Sequence, residues 1–155
     1  MSDRRLHVLV VEDSDRDAEL LLQHLAASGY QIEHERVQTA AAMTAALEGR
    51  RWDVIVSDYS MPSFTGLEAL EIARTHSLEV PFVIVSGTIG EDTAVAALKA
   101  GAQDFLIKGR LARLVPAIER ELREAGLLER VRLAGDVDDM HALLAASSVI
   151  AFPVD

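Results

Sequence analysis

The chain has no cysteine, so disulfides and thiolate metal sites are both excluded. It also has no surplus of basic residues. Fifteen Lys and Arg stand against 25 Asp and Glu, a formal net charge of -10. General nucleic-acid binding needs a basic face, which this balance does not supply. It suits cations and basic partners instead. No apolar run approaches the length of a membrane span. Met1 to Arg5 are polar and lead directly into an apolar run, so they are not read as a signal peptide. There is no internal repeat, no low-complexity stretch, no helix-turn-helix and no basic helix. These absences leave a cytoplasmic globular protein as the expectation, with no nucleic-acid and no membrane partner. Half of the 155 residues are hydrophobic, enough for one domain with a real core plus a short appendage.

Strand and helix signals alternate along the chain. Leu6 to Val11 is an apolar run broken by His7 and stopped by Glu12-Asp13. Ser14-Asp15 offers a helix N-cap, and Ala18, Leu21, Leu22 and Leu25 recur at helical spacing up to Gly29, read as the residue just past the helix. Ile32 to Val37 is a more polar strand, suited to a sheet edge. Thr39 caps a helix that ends at Gly49. Val54 to Val56 forms a third strand, stopped at Asp58. Pro62 and Gly66 punctuate a loop before a helix marked by Leu67, Leu70 and Ile72. Pro81 opens a fourth strand, Phe82 to Val85, which stops at Ser86-Gly87. Glu91-Asp92 begin a helix closed by Gly101. Phe105 to Ile107 stops at Lys108, and Leu114, Ile118 and Leu122 mark a last amphipathic helix with Pro116 near its start. Five βα units imply a parallel sheet covered by helices on both faces.

Ligands of such sheets bind outside the carboxyl ends of the strands. Glu12, Asp13, Asp58, Ser86 and Lys108 all stand at such ends. Adjacent carboxylates repel unless a cation shares them. Magnesium prefers a few carboxylate oxygens, retained waters and a phosphate oxygen. Lys108 supplies a fixed positive charge, Ser86 a hydroxyl donor, and Gly87 room for a phosphoryl group to approach. These are the parts phosphoryl transfer needs. Asp15, by contrast, reads as an ordinary helix-start acid, and His24 and His141 as helix-surface residues. None of the five histidines has metal-ligand spacing.

The ordered set Glu12-Asp13, Asp58-Tyr59-Ser60-Met61-Pro62 with Gly66, Ser86-Gly87 and Lys108 resembles the receiver domain of bacterial two-component response regulators. The likeness runs from about Leu6 to Ala125. It implies a flavodoxin-like doubly wound five-stranded parallel sheet. It implies Asp58 as phospho-acceptor, and Mg2+ held by Asp13, Asp58 and the backbone carbonyl of Ser60, with Glu12 assisting. It implies Ser86, Gly87 and Lys108 around the phosphoryl group, and Ser86 with Phe105 as the switch pair. It implies a histidine kinase or histidine phosphotransfer protein as donor, a downstream effector as reader, and no enzyme beyond self-catalysed phosphotransfer and slow autodephosphorylation. Three departures stand out. Gly109 follows the lysine where the family usually has proline, Phe105 replaces tyrosine, and Ser86 replaces threonine.

Two other phosphate-handling classes fit less well. A haloacid-dehalogenase-type hydrolase expects a second aspartate where Ser60 stands. A flavin binder expects a Ser/Thr/Gly-rich first loop, not Glu12-Asp13-Ser14-Asp15. A pseudo-receiver working without phosphorylation is the alternative, and the intact acid set argues against it. Residues 1–126 are thus read as the receiver and 127–155 as an extension that is not an independent domain. The extension, with Gly135 to Met140, Leu143-Leu144 and Phe152-Pro153, is weakly similar to a fragment of GT-B glycosyltransferases. It lacks the acidic donor-binding motif, so no such activity is expected. A βαβ-like element packed on a receiver face, with a homodimer as one outcome, is the expectation there.

Overall fold

The computed structural model describes residues 5–76, 80–87, 91–124 and 126. The extension at 127–155 therefore lies outside the described residues. Five strands, β1 (Arg5–Val11), β2 (Gln31–Val37), β3 (Val54–Asp58), β4 (Phe82–Ser86) and β5 (Asp104–Ile107), pair in the order β2-β1-β3-β4-β5. Every pairing is parallel. Five helices alternate with them: α1 (Asp15–Ala26), α2 (Ala40–Gly49), α3 (Gly66–His76), α4 (Glu91–Lys99) and α5 (Leu114–Glu124).

Side chains of a strand alternate between its two faces, and this divides the core into two layers. Leu6, Val8 and Val10 of β1 join Val54, Val56, Val83, Val85 and Leu106 beneath α1 and α5. Leu9 and Val11 join Ile55, Phe82 and Ile84 on the opposite face, against α2, α3 and α4. Every residue of β3 and β4 is buried, as central parallel strands require. β2 carries Glu33, His34, Glu35 and Arg36 and is largely open, as its edge position allows.

The helices follow their caps and stripes. Ser14 Oγ accepts the Asp17 N–H at 3.2 Å, and Thr39 Oγ1 accepts the Ala42 N–H at 3.1 Å. Leu114, Ile118 and Leu122 of α5 are at most 1% exposed and sit beside Leu25 of α1. Each such side chain contributes roughly 1.5–3 kcal/mol by leaving water. The α1 terminus differs in detail from the sequence reading. The helix ends at Ala26 with Ala27 as its cap, and Gly29 lies two residues beyond the cap, at φ +95°. Its left-handed backbone shapes the turn into β2 rather than the helix end itself. After β5 the chain enters a 3₁₀ segment, Lys108–Arg113, where Gly109 stands in place of proline.

Candidate functional site: an acidic pocket at the carboxyl edge of the sheet

The strand order places β1 next to β3 while α1 and α3 leave on opposite faces. A crevice opens at that point, beyond the strand ends. Glu12 and Asp13 follow β1 directly, and Asp58 is the last residue of β3. Carboxylate oxygens of all three lie within 4.8 Å of one another. Glu12 and Asp58 are only 5% and 7% exposed, and Asp13 is half-buried. Register brings the remaining parts to the same edge. Asp58 pairs with Val85 and Ser86 with Ile107, so buried Ser86 and Lys108 extend from adjacent strand ends. Gly87 is an exposed bend next to Ser86, and Ser60 is exposed in the loop after β3.

The loops are tied down by the backbone. The Glu12 N–H donates to the Val37 carbonyl at 3.1 Å, and the Ser14 N–H to Glu12 Oε2 at 3.1 Å. The Gly66 N–H donates to the Tyr59 carbonyl at 2.7 Å, closing the turn after Asp58. A Cβ on Gly66 would lie 2.8 Å from the Asp58 carbonyl and 2.9 Å from Tyr59 Cα, so that approach requires glycine. Arg36, on the edge strand, donates from Nη1 to the Glu12 carbonyl at 3.1 Å and pairs through Nη2 with Asp15. Sequence reasoning passed over Arg36, because nothing in a polar edge strand distinguishes the one side chain that reaches the next loop.

Lys108 is the cation of the pocket. Its Nζ lies 3.0 Å from Glu12 Oε1, 3.3 Å from Asp58 Oδ1 and 2.6 Å from Asp17 Oδ2. Burial works against the ammonium, but Asp17, Glu12 and Asp58 together hold its pKa above the ordinary lysine value. Burial likewise pushes the Glu12 carboxyl up and Asp58 repels it further, while Lys108 and the Ser14 amide pull it down; the net shift is upward. Asp17 was not singled out from sequence. A Ser14 N-cap places Asp17 in the first turn of α1, where an acid is also favourable to the helix dipole, so the sequence does not set it apart. Phe105 stands apart from the carboxylates. It is half-buried on the α4 side of the sheet, its ring centroid 6.2 Å from that of Tyr59.

Three clustered carboxylates facing one lysine leave a surplus of negative charge. Hard oxygen ligands of this kind fit a small divalent cation such as magnesium. Fold and pocket together define a doubly wound α/β domain with an acidic, cation-suited crevice at its switch point.

Comparison with known proteins gives the family. The model of the response regulator receiver domain matches residues 8–119, and the chain belongs to that family, the phosphorylation-controlled modules of two-component systems. The nitrogen assimilation regulatory protein NtrX of Azorhizobium caulinodans is 35% identical over 146 residues, covering 92% of this chain and 32% of that protein. The transcriptional regulatory protein PrrA of Mycobacterium tuberculosis is 36% identical over 120 residues, covering 77% of this chain and 51% of that protein. This chain thus spans about a third to a half of these relatives. Among solved structures, NtrX from Brucella abortus in complex with ATP superposes with a TM-score of 0.71 at 28% identity, covering 83% of this chain and 29% of that one. The beryllofluoride-activated NtrC4 receiver domain dimer gives 0.69 at 28% identity, covering 77% and 98%. Among the described residues, no helix is long and apolar enough to cross a membrane.

Proposed function

We propose that Asp58 is the phospho-acceptor and that Glu12, Asp13, Asp58 and the Ser60 carbonyl hold Mg2+ beside it. The observation that carries this reading is the cluster of Glu12, Asp13 and Asp58 oxygens facing Lys108 at the sheet's switch point. The bound cation would neutralise the acids and the incoming phosphoryl oxygens. The Asp58 carboxylate then attacks phosphorus in line. A bond forms from Asp58 Oδ to phosphorus, and the bond from phosphorus to the donor's histidine nitrogen breaks, its electron pair leaving with the nitrogen. Ser86 donates its hydroxyl to an equatorial phosphoryl oxygen, and Lys108 balances the added charge. The exposed bend at Gly87 leaves space for that group.

The donor is a histidine kinase or histidine phosphotransfer protein, and the output is a protein contact. On phosphorylation Ser86 moves toward the new oxygens, and Phe105 moves inward beside Tyr59, changing the surface of α4, β5 and α5. The chain is a signalling switch rather than an enzyme acting on an external substrate. PrrA is named a transcriptional regulatory protein, and this chain matches only part of it. DNA contact in such a protein would belong to another segment, since the net charge of -10 gives this one little affinity for a polyanion. The reading is cytoplasmic, without membrane contact. Residues 127–155 serve as a connecting or dimer-forming element and carry no glycosyl transfer. The NtrX match, at 92% of the chain, must extend beyond residue 126. Truncation after Gly126 should preserve phosphorylation and change oligomeric state or solubility; a folded but inert truncation would place the extension in the active unit.

The experiment is incubation with magnesium and acetyl phosphate followed by intact mass. One added phosphoryl group per chain, absent when EDTA replaces magnesium, is the expected result. A chain that binds magnesium and never gains mass would be a pseudo-receiver.

A further inference from the structure

An ammonium has three N–H donors. Three carboxylates lie around Lys108, those of Asp17, Glu12 and Asp58, at 2.6, 3.0 and 3.3 Å, and the ammonium is hydrogen-bonded to Asp17. The nearest is not a member of the acidic cluster but Asp17, on the first turn of α1. Lys108 is thus held by Asp17 before any phosphoryl group arrives, and a phosphoryl oxygen on Asp58 competes with that hydrogen bond for the ammonium.

The three carboxylates differ in what they would lose. Asp58 carries the phosphoryl group and stays. Glu12 has a side chain 7% exposed, and its other oxygen is held by the Ser14 amide. Losing Lys108 would leave its charge buried, which is costly. The Asp17 side chain is 35% exposed, so water can replace the lysine there. Its backbone is fixed by the Ser14 cap, so it cannot follow Lys108 deeper into the pocket. A cavity of about 30 Å³, walled mostly by apolar side chains such as Val10, Leu21 and Val85, adjoins Asp17, Lys108 and Asp58.

We propose that Asp17 is a positioning residue that holds Lys108 in the resting state and opposes its transfer to the phosphoryl group on Asp58. The contact acts as a brake built into α1. It biases the equilibrium toward the unphosphorylated form. The inference rests on the acceptor role of Asp58.

The test uses beryllofluoride with saturating magnesium, its affinity read by calorimetry on the full chain. Asp17→Asn should tighten binding by about two- to fivefold, the range of a partly exposed ion pair. Asp17→Glu, which keeps the charge, should restore the wild-type affinity. The gain should vanish in a Lys108→Gln background, because the brake works through the lysine. Equal or weaker binding by Asp17→Asn overturns the proposal, and so does an equal gain without the lysine. A second readout does not depend on the anion. The chain contains just two lysines, Lys99 and Lys108, so lysine-selective NMR labelling gives two side-chain signals. Asp17→Asn should shift the Lys108 signal and leave Lys99 in place; an unmoved Lys108 signal also overturns it. Failure of the wild-type chain to bind beryllofluoride at all would instead refute the acceptor reading.

Discussion

Asp53 and Asp58 bracket the same strand and are equally hidden, at 9% and 7% exposed, yet they live in opposite electrostatic worlds. Asp53, at the amino end of β3, accepts the His7 N–H at 2.8 Å and lies 3.3 Å from the His7 ring nitrogen. Its charge is met by the chain's own backbone. Asp58, at the carboxyl end, shares one lysine with Glu12 and Asp17 beside a third acid, Asp13. Burial alone therefore does not mark a functional carboxylate. What marks Asp58 is a shortage of cations that the described residues do not make good, which an external cation can fill.

The largest effect should come from removing the deprived carboxylate. Asp58→Asn should abolish phosphorylation by acetyl phosphate while keeping the cooperative unfolding transition, since the residue contributes charge rather than packing. Full labelling of that variant would move the acceptor elsewhere. Next comes the cation. Magnesium at a hundred times its dissociation constant should raise stability by about 2.7 kcal/mol, and Asp13→Ala should remove most of that gain. A melting shift that survives in Asp13→Ala would place the metal outside this cluster.

The satisfied carboxylate should behave in the reverse way. Asp53→Ala leaves the His7 N–H without its acceptor, at a cost of about 1–3 kcal/mol in denaturant unfolding. Its labelling by acetyl phosphate should continue. A variant that keeps its stability and loses labelling would erase the contrast between the two strand ends.

The smallest effect concerns pH. With EDTA present, the Glu12 carboxyl titrates above its ordinary value of 4.5 in the folded chain, burial being the main cause. Between the unfolded and the raised folded pKa, the folded state binds more protons. Its contribution is then fully favourable below the unfolded value and is lost as pH rises through the folded one. Glu12→Gln should flatten that part of the stability profile. An unchanged slope would show that another group governs it.

The Asp58 side of this contrast was legible in the sequence, for physical reasons, and the Asp53 side was not. Strand ends are visible because buried parallel strands are unbroken apolar runs, so the residue that stops each run is conspicuous. Glu12, Asp13, Asp58 and Lys108 were found that way, and the structure gathers them within one crevice. The polar character of Ile32 to Val37 likewise announced an edge strand. What was hidden depends on side-chain reach. Asp17 reads as one more acid favourable to a helix start, and the two acids part only in their contacts, Asp17 with Lys108 and Asp15 with Arg36. Arg36 looks like any edge-strand charge until its guanidinium is seen on the Glu12 carbonyl. The position of Gly29 beyond the α1 cap was blurred for a different reason, because helix ends are fixed by hydrogen bonds and not by residue type alone.

The most direct measurement is chemical mapping of the acyl phosphate. The chain is incubated with magnesium and acetyl phosphate, reduced with borohydride, digested and read by peptide mass. An aspartyl phosphate is converted to homoserine where it stood. The account predicts homoserine at position 58, dependent on magnesium, with Asp13 and Asp53 unchanged. Homoserine at another aspartate, or none in a chain that has gained a phosphoryl group, would contradict it.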